Sequence, residues 1–445
     1  MVRVSVLGLG PVGLVTALCF AKKGYSVVGV DVDKCRVDLI RAGKLPFIEP
    51  SLDRYLKDAV ERGTFEATSD MSINKSTDVA IITVGTPSAE DGSIDLSHVK
   101  SASIAIGQSL RDKTEDQLVL VKSTVIPGTT RNLVKPLLEE YSGKKLGNGF
   151  KLCSNPEFLR EGKAIYDSEF PDRIVIGGER KEDLRALEEF YKEFYGEKIP
   201  PIVKTSYENA ELIKYANNSF LAMKISYINM IANLCQQVQG ADVVDVAKGI
   251  GLDKRIGPLF LNAGLGWGGS CFPKDLKAFS AYAKKIRTES SLLNDTKTIN
   301  DHQPSKAAEL AESLLTDLKG KRIALLGLAF KADTDDMRQA VSIPLVKTLL
   351  SRGAEVIAYD PAAITNAKPL LDSGVKFAST AIDCITGADC CILVTEWEEF
   401  RNIKPETFRE KMRYPAIVDG RRIFDPSEFK QANVRFSAIG LNNYD

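Results

Sequence analysis

The chain has 445 residues, more than one hydrophobic core ordinarily supports, so two or three domains are expected. Lys plus Arg and Asp plus Glu each number 59, a formal net charge of zero that argues against broad electrostatic capture of nucleic acid or of a membrane surface. Eight cysteines without a regular framework fit a reducing compartment, and two histidines, His98 and His302, are too few for a histidine-based metal site, so no metal is expected.

A β-branched run from Val2 to Leu7 opens the chain without a charged leader or a long apolar stretch, the pattern of a soluble cytoplasmic protein. Gly8-x-Gly10-x-x-Gly13 follows it and leads into helical apolar spacing from Leu14 to Lys23, and Tyr25 to Val30 reads as the second strand. A strand before and a helix after supply the context that makes this a dinucleotide-binding fingerprint. Gly8 permits the tight turn, Gly10 lets the backbone approach a pyrophosphate, and Gly13 lets helix and strand pack closely. Asp31 ends the second strand, where a carboxylate accepts the adenosine ribose hydroxyls and repels a 2′-phosphate; NAD is favoured over NADP, with Arg36 as the counter-evidence. Strand-like runs at 78–84, 117–122, 152–154 and 173–176 alternate with helical stretches, as in a parallel α/β sheet, so residues 1–203 read as one Rossmann-like NAD-binding domain. Within it, Asn155 suits an N-cap and Pro156 the first position of a helix that would put Glu157 and Glu161 on one face, suited to general-base work on water or to compensating the helix dipole.

From Ser206 to about Gln239 the pattern becomes one long helix, apolar on more than one side and so widely buried. At about 34 residues it would run roughly 50 Å, long enough to bridge domains and to pack against a second copy of the chain. Lys214 and Asn218 share one face of it and present a cation and an amide that can stabilise an alkoxide, although such a pair is usually a solvated face. Residues 204–304 are read as a central helical connector and dimerisation domain. Near their end, Gly266-Trp267-Gly268-Gly269-Ser270-Cys271-Phe272-Pro273-Lys274-Asp275 delivers Cys271 to the start of a helix, a place that favours thiolate. A free cysteine is commonly a small buried hydrophobe, the reading given to the other seven; the glycines and Pro-Lys-Asp set Cys271 apart as a nucleophile. After Pro304 the α/β pattern returns, with strands at 322–326, 355–359, 390–394 and 416–418 and a helix at 343–351. Its first turn lacks the glycine fingerprint and carries Lys331 and Arg338, which, with Arg421 and Arg422, are cations suited to a pyrophosphate. The fold class is thus α/β, with two Rossmann-like doubly wound domains, the second at 305–445, joined by a long central helix.

Gly8 to Gly13, Gly85-Thr86-Pro87, Lys122 to Pro127, Ser154 to Gly162, Lys214 to Asn218, Gly268 to Asp275 and Phe330 to Arg338, in that order, resemble the UDP-glucose 6-dehydrogenases within the UDP-glucose/GDP-mannose dehydrogenase family over nearly the whole chain. The resemblance implies oxidation of a sugar C6 alcohol to a carboxylate with two NAD and one water through a cysteine-bound thioester. Cys271 would be the nucleophile, Lys214 and Asp275 would handle protons or oxyanion charge, Asn218 would hold the C6 oxygen, and Glu161 or Glu157 with Thr124 would position the hydrolytic water. Cofactor contacts carried over are Gly8, Gly10, Pro11, Val12, Gly13, Asp31, Arg36, Thr86, Thr124, Glu161, Lys274 and Arg338. Substrate contacts are Glu157, Phe158, Leu159, Glu161, Lys214, Asn218, Asn262, Gly266, Trp267, Gly268, Phe330, Lys331, Arg421 or Arg422, and Arg255, which in the family comes from the neighbouring subunit and so implies a homodimer. Ser51, Ser88 and Trp267 depart from the family's usual residues, and Trp267 bears on the choice between glucose and galactose. The rival readings are oxidation of GDP-mannose or another nucleotide sugar, a two-electron hydroxyacid dehydrogenase that needs no cysteine, and an inactive NAD-linked scaffold.

Overall fold

Burial on both faces of each central strand decides the architecture. In Arg3–Leu7, Val4 and Val6 join one apolar cluster and Leu7 the opposite one; Val27 and Val28 in the next strand divide the same way. A sheet apolar on both faces needs helices on both, which is the doubly wound arrangement. The computed structural model describes residues 2–442; Met1 and 443–445, the outer ends of the expected terminal domains, lie outside the described residues. It divides into two compact units, one holding the chain up to Asn217 together with Lys277–Lys285, the other Asn218–Leu276 and the chain from Ile286 onward.

In the first unit the strands lie in the order Phe65–Thr68, Ser26–Val30, Arg3–Leu7, Val79–Ile82, Gln117–Val121, Gly149–Ser154, Ile174–Gly177, Ile202–Thr205. The expectation of a parallel sheet needs correcting at one place: Gly149–Ser154 meets Ile174–Gly177 antiparallel, paired at Ser154 and Gly177. In the second unit the order is Lys376–Phe377, Glu355–Tyr359, Arg322–Leu326, Cys390–Leu393, Ala416–Asp419, Arg435–Ala438, parallel throughout. Both sheets reverse direction of strand addition beside their first strand, where the crevice at the carboxyl ends of strands receives ligands.

Three expectations fail locally. No helix forms over 155–161; residues 155–160 form no regular element, Glu161 opens a turn, and the nearby helix is Ala164–Glu169. The Asn155 side chain cannot cap a helix because it donates to Val175 O (2.9 Å) and accepts from Tyr191, while its backbone N–H is spent on Val121 O (2.8 Å). The long helix spans Tyr207–Cys235, shorter than expected at its end. Beyond it the N–H groups of Gln237 and Val238 reach back only three residues, and the Gln236 side chain turns to Gly440 N and Leu441 O. Most of it is buried or half-buried, as expected, while Phe220, Tyr227 and Leu234 are exposed. Pro304 lies inside the helix Ser291–Leu315 instead of ending a segment. No helix among the described residues is long and apolar enough to cross a membrane.

In the second sheet, Asp360, at the end of the second strand, is 1% exposed and accepts N–H donors from Leu328 (2.7 Å), Ala329 (3.0 Å), Ala362 (2.9 Å) and Ala363 (2.8 Å), with the Trp397 indole at 3.2 Å. Removing an acceptor that serves several buried donors leaves each with a desolvation cost. Asp360→Ala is therefore expected to lower the unfolding free energy of this unit by about 3 kcal/mol or more, measured by urea unfolding followed through tryptophan fluorescence.

Candidate active site

The glycine turn is fastened from two sides. Gly8 N donates to Val30 O (2.7 Å) at φ +99°, a conformation open to glycine, and Leu9 N donates to Asp31 Oδ2 (2.7 Å). A Cβ on Gly13 would stand 1.8 Å from Gly8 O, so the helix Pro11–Lys22 can approach the strand only with glycine there. A Cβ on Gly10 would meet nothing within 4 Å: the turn is open on that side. The helix has no side-chain cap and no acidic residue in its first turn, and Pro11 contributes no N–H, so its amino end offers its donors and its dipole to an anion. Asp31, 4% exposed, also accepts from Asp33 N (2.9 Å) and pairs with Arg36 (2.9 Å). Thr86 donates to Thr124 O (2.9 Å), tying together the loops that follow Val79–Ile82 and Gln117–Val121, the strands next along the sheet.

The same unit buries a cluster of charge. Glu157, 7% exposed, holds Lys214 Nζ at 2.9 Å through Oε1 and accepts from Leu159 N (2.5 Å) through Oε2. Burial pushes its carboxyl up, but Lys214, the Leu159 N–H and Lys122 outweigh that and hold it below the usual carboxylate range. Burial lowers the Lys122 ammonium to about 8, Glu157 opposing the fall and Lys214 adding to it. Phe158 lies under the Arg173 guanidinium (3.7 Å) and 5.3 Å from Lys214 Nζ, and Arg173 donates to Asn217 Oδ1 (2.8 Å). Leu159 and Glu161 are half-buried, and the segment is anchored beyond them by Glu49, which accepts from Gly162 N and Ala164 N (2.8 Å each). Glu157 thus lies on an irregular strap and Glu161 in the turn that ends it, instead of both on one helix face.

In the second unit, Cys271 immediately precedes the helix Phe272–Lys285, with Pro273 in its first turn and Asp275 N donating to Cys271 O (2.8 Å). Among the described residues only Cys271 and Cys35 are exposed cysteines. Cys35 thus departs from the buried, structural reading, because it lies in the first turn of the surface helix Lys34–Arg41. Elsewhere burial pushes thiols up, to about 12 at Cys19 and Cys384, which keeps them protonated. Asp275, 3% exposed, joins Asn218 Nδ2 (2.7 Å) and Lys274 Nζ (2.6 Å).

The loop before Cys271 is tied inward. Trp267, 7% exposed, donates from its indole to Ser226 Oγ (3.0 Å) and packs edge-on against Phe272, and its backbone exchanges two hydrogen bonds with the Asn300 amide. Gly266 O accepts from Arg421 Nη1 (3.3 Å), and Gly269 N donates to Arg338 O (3.0 Å); a Cβ on Gly268 would stand 2.2 Å from Gln339 O. Lys331 Nζ lies 5.5 Å from the Phe330 ring, and the Arg338 guanidinium is held by Asp336 (2.6 Å). Asn262 is exposed, and so is Arg255, which pairs with Asp253 (2.6 Å). Arg422 is turned away from this group, held by Asp242 (2.8 Å) and Ile439 O (3.1 Å), so of the two adjacent arginines Arg421 is the one at the glycine loop. Lys122 enters the sequence reading only as the first residue of a resembling motif, with no role, and Arg173 and Tyr191 do not enter it as site residues; a lysine directly after an otherwise apolar strand is the one available signal.

Models of the UDP-glucose/GDP-mannose dehydrogenase family match the chain in three stretches: its NAD binding domain over residues 2–195, its central domain over 208–302 and its UDP binding domain over 324–426. The chain belongs to this family. It is similar to UDP-glucose 6-dehydrogenase AglM of Haloferax volcanii, 43% identical over 95% of this chain and 97% of that one, and to UDP-glucose 6-dehydrogenase YwqF of Bacillus subtilis, 38% identical over 98% and 97%. Among solved structures, a UDP-glucose dehydrogenase of Pyrobaculum islandicum superposes with a TM-score of 0.90 at 37% identity, covering 99% of this chain and 98% of that one. A UDP-D-ManNAc dehydrogenase of Pyrococcus horikoshii gives 0.86 at 29%, covering 98% and 99%.

As a member of the family the chain is an NAD-dependent dehydrogenase, and the turn fits the cofactor: the open side of Gly10 and the uncapped helix end suit a pyrophosphate, and Asp31 stands at the strand end. The two glycines separate binding from folding. Gly10→Ala is expected to keep the thermal stability of the native chain while weakening NAD binding about tenfold, about 1.4 kcal/mol. Gly13→Ala is expected to lower stability itself by about 2 kcal/mol or more. Calorimetric titration with NAD and thermal melts of both variants measure the two effects.

Proposed function

We propose that the chain oxidises the C6 alcohol of UDP-glucose to the carboxylate of UDP-glucuronate, taking up two NAD and one water and releasing two NADH and three protons. What carries this reading is Cys271, exposed directly before a helix amino end, with the buried Asp275 on the first turn that follows, joined to Asn218 of the long helix and to Lys274. Bound NAD supplies the hydride acceptor for both oxidations, held at the glycine turn with Asp31, Thr86 and Thr124. Asp275 takes the alcohol proton and the Lys214 ammonium balances oxyanion charge in the first oxidation, and Asn218 holds the C6 oxygen. The Cys271 thiolate then adds to the aldehyde carbon, and loss of the second hydride from that carbon leaves a thioester. Water adds to the acyl carbon, the C–S bond breaks, and the electron pair returns to sulfur as the Cys271 thiolate.

Glu157, ionised and bound to Lys214, is a weak base and a good anchor; the hydrolytic water then falls to Glu161 and Thr124. Arg421 and Lys331 are the cations offered to the nucleotide diphosphate. The chain acts as a homodimer through the helix Tyr207–Cys235, whose exposed Phe220, Tyr227 and Leu234 recur every seven residues and so form one stripe, and the exposed Arg255 serves the neighbouring subunit.

With limiting UDP-glucose and excess NAD, two NADH per sugar are expected. Cys271→Ser is expected to lower uronate formation by about three orders of magnitude or more while NAD still binds. One NADH per sugar, undiminished acid formation by the serine variant, or turnover of GDP-mannose alone would refute the assignment. Replacing Phe220 and Leu234 together by Asp is expected to reduce the sedimenting mass to that of a single chain; an unchanged mass would remove the helix from the interface.

A further inference from the structure

Glu161, to which the hydrolytic water is assigned above, stands in no regular element: it opens the turn between the irregular strap and the helix Ala164–Glu169. A side chain placed there is only as fixed as the two peptides that flank it. The peptide before it is held within the turn itself, where Arg160 O accepts from Lys163 N (2.9 Å). The peptide after it is held from far away in the chain: Gly162 N donates to Oε2 of Glu49 (2.8 Å), 113 positions earlier. The other oxygen of that carboxylate, Oε1, accepts from Ala164 N (2.8 Å), so Glu49 spans the turn.

Glu49 is itself rigidly placed. It is 5% exposed, Phe47 and Leu52 on either side of it pack into the apolar core of the first unit, and its carbonyl accepts from Leu52 N (3.2 Å) at the start of the helix Leu52–Glu61. Capping the helix Ala164–Glu169 accounts for half of what Glu49 does. Lys163, at the cap position, supplies no side-chain acceptor, and the helix's own acid Asp167 is turned to Arg160, taking its N–H (2.8 Å) and its guanidinium (2.6 Å). Oε2, however, serves Gly162, which lies outside the helix at φ +78°. A buried carboxylate is costly unless its oxygens are filled, and a local serine or aspartate would cap a short helix without that cost. What the distant carboxylate adds is a fixed peptide between Glu161 and Gly162, and with it the direction in which the Glu161 side chain leaves the backbone.

We infer that Glu49 is a positioning residue for thioester hydrolysis: it holds the peptide that follows Glu161 and so keeps the Glu161 carboxylate aimed at the attacking water. The inference rests on the assignment, made above, of a Cys271 thioester whose hydrolysis follows both hydride transfers. In that step the oxygen of water bonds to the acyl carbon while one of its protons passes to Glu161, and the C–S bond breaks with its electron pair left on sulfur. A base displaced by a fraction of its reach loses much of its effect on such a step, whereas the two hydride transfers do not draw on it.

The test compares wild type, Glu49→Gln, Glu161→Gln and the double variant. Glutamine keeps the shape of the side chain but turns an NH2 group toward one of the two N–H donors, so one contact is lost. Glu49→Gln is expected to bind NAD within about threefold of wild type and to turn over about 10- to 100-fold more slowly. Its rapid burst of two NADH per active site is expected to survive, with the acyl adduct accumulating on intact-mass spectra. Hydroxylamine, which attacks a thioester without a base and leaves a hydroxamate, is expected to restore its NADH turnover to within about threefold of wild type, a rescue that general loosening of the fold would not give. The double variant is expected to be no more than about twofold slower than Glu161→Gln, because both changes act on one group. Wild-type turnover in Glu49→Gln, loss of its burst together with its turnover, absence of rescue by hydroxylamine, or additive losses in the double variant would overturn the inference. Should the glutamine variant fail to fold, Glu49→Asp, which keeps the charge and shortens the reach by one methylene, carries the same expectations and the same refutations. A wild-type yield of one NADH per sugar, or full turnover in Glu161→Gln, would overturn the underlying assignment and the inference with it.

Discussion

Each of the two sheets depends on one aspartate at the carboxyl end of its second strand, turned back onto the loop that leaves the first. Asp31 receives Leu9 N and Asp360 receives Leu328 N, each at 2.7 Å, while Gly8 N and Gly327 N donate to Val30 O and Tyr359 O. A buried carboxylate is tolerated only when its oxygens are filled, and backbone N–H groups fill them with fixed geometry. This one contact sets the path of the chain at the point where strand order reverses, the place at which an open sheet receives ligands. The threonine after the fourth strand of the first sheet and its counterpart in the second, Thr83 and Thr395, close the same turns from the other side.

The differences between the turns decide what each can hold. In the first, Asp31 takes two backbone donors and Arg36, and the helix begins at a glycine with open space beside it. In the second, Asp360 takes four backbone donors and the Trp397 indole, so its carboxylate has no capacity left for a ribose hydroxyl. The architecture is repeated while the chemistry at its switch point is not, in keeping with a first stretch matching an NAD binding domain and a third matching a UDP binding domain.

Much of this was legible in the residues. Gly8 and Gly13 announce their turn because a backbone shape at the one and a close contact at the other exclude every other residue, and Cys271 announces itself through Pro273 and the glycines. The strands that went unread, Phe65–Thr68, Lys145–Leu146, Ile202–Thr205, Lys376–Phe377 and Arg435–Ala438, are short, and all but Lys145–Leu146, which pairs off the main order, lie at sheet edges, where half-exposed side chains erase the apolar run. The 155–161 strap was misread for another reason. Asn-Pro-Glu has the local chemistry of a helix start, but Asn155 is bound by Val175 and Tyr191, which are distant in sequence and whose hydrogen bonds override the local preference.

The strap also shows why charge at this site escaped sequence reasoning. A lysine four residues before an asparagine on a helix reads as solvated surface until Glu157, 57 positions earlier, is found against it. Once the pair is buried, Lys214 keeps Glu157 a carboxylate, and both side chains stand in a place that water hardly reaches. Replacing the pair by apolar residues would cost the fold little, because desolvation offsets most of the attraction between buried charges. Its presence is therefore argued from reactivity: a buried ion pair maintains a fixed field without the reorganisation that water would require, which is the condition for stabilising charge that appears only as a bond is made or broken.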